Sequence, residues 1–134
     1  MRTLAALLVL AAACATGRRG DVPSIAGTYA LTRIDNRTLP TYSPTERNVI
    51  VQRGTLILGR AGAFVLTHAA RSSPQLPPVE RSIRGAYAVS GETLTVTPGS
   101  DAPNAAPLVY RVARAGMQLT LRDAQGHRYE FTVR

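Results

Sequence analysis

Few residues in this 134-residue chain are equipped for chemistry. There is one cysteine, Cys14, and there are two histidines, His68 and His127. A tetrahedral metal site needs three or four ligands gathered closely, and these three residues are widely spread along the chain. The eight Asp and Glu residues are dispersed, with no glycosidase-like pair. Ser72, Ser73, Ser82 and Ser90 lack the Gly-x-Ser-x-Gly elbow that exposes a nucleophile. Gly59-Arg60-Ala61-Gly62 is not followed by the Gly-Lys-Ser/Thr of a phosphate loop. The sequence therefore points to no catalytic residues, no metal centre and no cofactor, and the expectation is a protein that is not an enzyme.

The tyrosines form a better organised set. Tyr29, Tyr87, Tyr110 and Tyr129 each sit in a segment where apolar and polar residues alternate, and each falls on the apolar face. A buried phenol needs a hydrogen-bond partner. Lining one interior, the four would make a semi-polar ligand cavity; reaching the rim, they would bond water or arginine instead. His68 continues the series Phe64, Leu66, His68 and falls at the mouth of the same interior. These five residues are the candidate ligand-binding set.

The elements that must position them are strands. In the last segment Tyr129, Phe131 and Val133 alternate with Arg128, Glu130, Thr132 and Arg134. That is the pattern of a strand with one buried and one solvated face. Period two recurs at Leu119/Leu121, Leu108/Tyr110/Val112, Leu94/Val96, Tyr87/Val89, Phe64/Leu66, Leu56/Leu58 and Tyr29/Leu31. This predicts eight strands, with tight turns at 59–62, 90–92 and 115–116 and a short hairpin loop at 123–127. Longer loops are expected at 35–47, 69–81 and 99–107. No helical segment is long enough to link parallel strands, so the expected fold is all-β: a single antiparallel eight-stranded up-and-down barrel. At this strand number the interior is filled by side chains or holds one small ligand.

Several of these segments open on glycine: Gly27-Thr28-Tyr29, then Gly62-Ala63-Phe64-Val65-Leu66, then Gly85-Ala86-Tyr87-Ala88-Val89-Ser90-Gly91-Glu92-Thr93-Leu94. With Asn36-Arg37-Thr38-Leu39-Pro40 after the first strand, the series resembles the small lipocalin-like lipoproteins of bacteria. The resemblance implies the barrel and, with it, binding of a small apolar ligand. Lipocalins carry Gly-x-Trp in the first strand, with an arginine of the last strand packed over the Trp. Here Tyr29 stands in the Trp position, and Arg128 or Arg134 is the expected arginine.

The start of the chain reads as an export signal. Arg2 precedes an unbroken run of Leu, Val and Ala over residues 4–13, too short to cross a bilayer as a helix but suited to a signal peptide. Ala13-Cys14-Ala15 fits an ordinary signal peptidase. Ala11-Ala12-Ala13-Cys14 resembles the lipobox of bacterial lipoproteins, with Ala11 in the place of the usual Leu. The lipobox would make Cys14 an acylated N-terminus and give the protein a membrane as partner. The sole cysteine cannot form an internal disulfide, which favours that reading. The expected organisation is a signal peptide over 1–13, a lipidated Cys14 and tether over 14–24, and a barrel domain over 25–134. The expected location is the cell envelope: the outer membrane where the organism has one, or the medium if Cys14 is removed.

The formal charge is +8, and all sixteen basic residues are arginine. From Arg33 onward they are scattered singly, read as polar strand faces, with no run or aromatic-interleaved stripe, so nucleic acid is not an expected partner. The alternative to a ligand-binding barrel is an envelope protein–protein interaction module, an inhibitor or assembly accessory. It would use Ser72-Ser73-Pro74-Gln75-Leu76-Pro77-Pro78 as an extended polyproline segment.

Overall fold

The computed structural model describes residues 24–100, 102 and 104–134. The segment read as an export signal, and Cys14 with it, lie outside the described residues. Ten antiparallel strands follow: β1 (Gly27–Ile34), β2 (Arg37–Thr38), β3 (Thr41–Tyr42), β4 (Ile50–Leu58), β5 (Ala63–Arg71), β6 (Val79–Ser90), β7 (Thr93–Pro98), β8 (Leu108–Ala115), β9 (Gln118–Arg122) and β10 (Arg128–Val133). The eight longer strands pair with their neighbours in chain order. β1 pairs with both β10 and β4, which closes the sheet into an eight-stranded up-and-down barrel.

The period-two pattern predicts the interior well. Every alternating apolar position named above, from Tyr29 to Val133, lies in the core or packs against it, joined by Ile25 and Ile83. Strand lengths differ from expectation. β4 starts at Ile50, β5 runs on to Arg71 and β6 begins at Val79, so the 69–81 loop shrinks to residues 72–78. The opening of β6, Val79–Ser82, is exposed and has no apolar face to reveal it. It is held by pairing with β5, from Ala70↔Val79 to Thr67↔Ser82. Residues 72–78 are not extended polyproline throughout: Leu76 N–H donates to the Ser73 carbonyl at 3.2 Å, closing a β-turn with Pro74 behind its corner.

The expected 35–47 loop contains β2 and β3. Asp35 and Asn36 take φ of 49° and 65°, a conformation these two residue types tolerate, and return the chain so that β2 pairs with β1. β3 then pairs with β4. Together they fill a gap. β1 meets β4 only from Gly27↔Leu58 to Ala30↔Thr55. Beyond that both strands change register, between Leu31 and Arg33 in β1 and between Val51 and Arg53 in β4. Such bulges bend a strand and increase its twist, and here they coincide with the parting of the two strands.

Chain direction gives the barrel two unlike ends. Turns 59–62, 91–92 and 116–117 and both ends of the described chain lie at one end; residues 35–49, 72–78 and the β7–β8 and β9–β10 connections lie at the other. The first end is closed. Ile25 is 7% exposed and crosses beneath Tyr29, which is 0% exposed and donates its hydroxyl to the Ile25 carbonyl. The arginine there is neither Arg128 nor Arg134. Arg114 of β8 donates from Nη1 to the Ser24 carbonyl at 2.8 Å and lies close enough to oppose the rise that burial causes in the Tyr29 pKa. Arg128 is instead paired with Glu130 at 3.0 Å on the outer wall, and the Arg134 backbone N–H bonds to Thr28.

β6 and β7 approach each other closely at Gly85. A Cβ at Gly85 would lie 2.2 Å from the Thr97 carbonyl oxygen of β7, a backbone atom that cannot rotate away. Gly85→Ala is therefore expected to lower stability by about 3 kcal/mol, the upper part of the range for overpacking. A fall in urea midpoint at unchanged slope would register it.

Candidate functional site

The interior is filled at the closed end and hollow at the other. Tyr29, Leu56, Phe64, Leu94, Val96 and Leu119 are all 0% exposed and pack the lower barrel solid. Above them Leu31, Leu66, Ile83 and Leu108 face inward but remain half-buried, because they border a cavity of about 500 Å³. Leu121 and Phe131 also border it, forming apolar wall with Leu31, the partner of Phe131 across β1 and β10. The mouth is shaped by the segment between β3 and β4, including Pro44 and Glu46, and by Asp123 and Gln125 of the β9–β10 loop. The size falls within the roughly 300–1,000 Å³ usual for small-molecule sites.

The five candidate residues separate into two groups. His68, Tyr110 and Tyr129 line the cavity. Tyr29 and Tyr87 do not. Tyr29 is sealed in the floor, and Tyr87 donates its hydroxyl to the Gly59 carbonyl at 2.8 Å at the closed end. The alternating pattern assigns the right face to all four tyrosines but is silent on their height along the barrel axis.

The two cavity tyrosines are held neutral. Burial pushes both phenols above their ordinary pKa, and the Asp123 carboxylate adds to the rise in each. Tyr129 donates to Asp123 Oδ2 at 3.4 Å. The Tyr110 hydroxyl has no hydrogen-bond partner among the described residues, which leaves it for a ligand or water. Asp123 itself is fixed by the loop it begins: its Oδ1 accepts N–H bonds from Gln125 at 3.0 Å and His127 at 2.9 Å.

A second aspartate pins the mouth. Asp35, in the β1–β2 turn, accepts the Arg128 N–H at Oδ1 (2.8 Å) and meets His127 Nδ1 at Oδ2 (3.0 Å). His127 is thus a rim residue tied to a carboxylate, outside the cavity lining. Among the described residues no three His, Cys, Asp or Glu side chains gather as a metal site would require.

One arrangement has no signature in the linear sequence. Register places Arg111 of β8 opposite Arg122 of β9, and Arg122 opposite Arg128 of β10. Three arginines separated in sequence thus form a row on the outer wall, along a shallow groove. Like charges directly opposite across strands are destabilising. Glu92, 4.0 Å from Arg111, and Glu130, 3.0 Å from Arg128, offset part of that repulsion.

The Asp35 contacts make stability depend on pH. The Arg128 N–H, helped by His127, holds the Asp35 carboxyl below its ordinary 3.8. A depressed carboxylate pKa stabilises the fold above the unfolded value, and that contribution is lost as pH falls through the folded value. Thermal unfolding followed from neutral into strongly acid solution should show the midpoint dropping in the native chain, with a shallower drop for Asp35→Asn. No family model matches the chain, and no curated protein matches it, so the chemistry of this site rests on its own geometry.

Proposed function

We propose that this barrel is a binding protein rather than an enzyme, and that it takes one small, largely apolar ligand through the mouth of the barrel. The observation that carries this is the cavity of about 500 Å³ walled by Leu, Ile, Val and Phe, with the polar groups of His68, Tyr110 and Tyr129 converging on it. Apolar walls with a few placed polar groups are the usual composition of a ligand site. The walls supply affinity by removing apolar surface from water, and the phenols orient the guest.

We further propose that the protein works at the bacterial envelope, held by acylation of Cys14. The described chain begins at Ser24, at the closed end of the barrel, opposite the mouth. More than one acyl chain is needed for stable anchoring, since each buried CH₂ contributes only about 0.8 kcal/mol.

Two variants test these proposals separately. Leu66→Trp places a bulky ring in the cavity wall. It should weaken binding of a neutral apolar fluorophore such as N-phenyl-1-naphthylamine by about tenfold or more, roughly 1.4 kcal/mol, with circular dichroism unchanged. A fluorophore that binds the variant as tightly as the native chain would sink the cavity as the site. Cys14→Ser should move the protein from the membrane fraction to the soluble fraction of lysed cells. Unchanged membrane association would reject the anchor.

A further inference from the structure

The charges around the cavity run against the charge of the protein. The formal charge is +8, yet none of the arginines among the described residues lines the cavity. The ionised side chains that do line it are the carboxylates of Glu46 and Asp123. Glu46 is partly neutralised by Arg81, 3.4 Å away across the mouth. Asp123 has no cationic partner among the described residues, and beyond the long bond from Tyr129 its Oδ2 is free to accept. It is half-buried, and its charge is felt inside the cavity, as the raised phenols of Tyr110 and Tyr129 also indicate.

We propose that the site selects amphiphiles with a cationic amine head over those with a carboxylate head, the amine being received by Asp123 Oδ2 and Glu46 at the mouth while the apolar body fills the cavity. This rests on the cavity being the binding site. The physics is direct. An alkylamine is protonated at neutral pH, as a lysine side chain is, and donates charge-assisted hydrogen bonds to a carboxylate. A carboxylate head in the same place meets like charge at the mouth of an apolar chamber, where screening by water is reduced. Among the described residues it also finds no guanidinium in the lining with which to form the bidentate pair that carboxylates favour, and Arg81 at the mouth is engaged by Glu46. A neutral alcohol falls between, taking hydrogen bonds from the Tyr110 phenol without gain or loss of charge energy. His68 faces the same space, and its ring nitrogens are within the lining available to hydrogen-bond any of the three heads.

The experiment is displacement of N-phenyl-1-naphthylamine from the purified full chain at neutral pH and low salt. The competitors are decylamine, decanol and decanoate, each kept below its micelle concentration. Decylamine is expected to displace the dye at a concentration about tenfold or more below that of decanoate, with decanol between. Added salt should narrow the interval, since it screens charge. Asp123→Asn keeps an oxygen to accept the loop N–H bonds and removes the charge; Glu46→Gln, on the exposed rim, does the same without touching that loop. Each should reduce the preference, and the pair should abolish it. Equal potency of the three competitors, or decanoate as the strongest, would overturn the head-group selection while leaving cavity binding intact. A preference for decylamine that survives both substitutions would overturn the assignment to these carboxylates. Failure of the dye and all three competitors to bind would remove the cavity reading and this inference together.

Discussion

The structure turns on how β1 closes the barrel. One edge of β1 is paired with β10 from Tyr29 to Ile34, but the other reaches β4 only as far as Ala30. A strand edge left unpaired exposes backbone groups that need partners and invites association with other chains. The sequence resolves this with a two-residue turn at Asp35-Asn36 that folds β2 back on β1, while β3 covers the corresponding edge of β4. The gap between the parted strands is thus bridged by a strap rather than by direct pairing. Below the parting the interior is filled by side chains; above it the interior is hollow. Floor, cavity and mouth all follow from the point at which one strand pair ends.

The same geometry separates charge. The row Arg111, Arg122 and Arg128 lies on outward strand positions and exists only because β8, β9 and β10 pair in one register. Inward positions are apolar except near the mouth, where the loops bring in Glu46 and Asp123. A ligand approaching from afar experiences the net positive charge, attenuated over a Debye length of about 8 Å at physiological salt. A ligand entering the mouth experiences the two carboxylates. Net charge is therefore a poor guide to what this cavity accepts, and the local set of lining groups is a better one.

Sequence pattern carried much of this fold, for a physical reason. In a strand the side chains alternate strictly, so an apolar face is visible in a single sequence, and the inward positions from Tyr29 to Val133 were legible one by one. What alternation lacks is height along the axis. Tyr29 and Tyr110 look alike in the pattern, yet one is sealed in the floor and the other borders the cavity. Height depends on strand tilt and stagger, which are properties of the closed barrel. The opening of β6 was invisible because Glu80, Arg81 and Ser82 have no apolar face, and its partner in β5 lies across a loop. Arg114 was missed for a similar reason: the choice among arginines over Tyr29 was made by the path of the Ser24–Ile25 plug, not by the last strand.

A hollow of this size is itself a cost. Side chains bordering empty space or loosely held water lose the dispersion contacts that a filled core supplies. In this barrel Leu31, Leu66, Ile83 and Leu108 are in that position, while the layer beneath them is packed with Tyr29, Phe64, Leu56 and Leu119. Division of labour between the halves makes this tolerable. The lower half supplies the burial that holds the fold, and the hydrogen bonds of Asp35 and Asp123 fix the rim so that the upper half does not collapse inward. A guest that restores the missing contacts stabilises the folded chain by mass action, about 2.7 kcal/mol at a hundredfold excess over Kd. On the binding proposal, the open space is the part of the core that a ligand would complete.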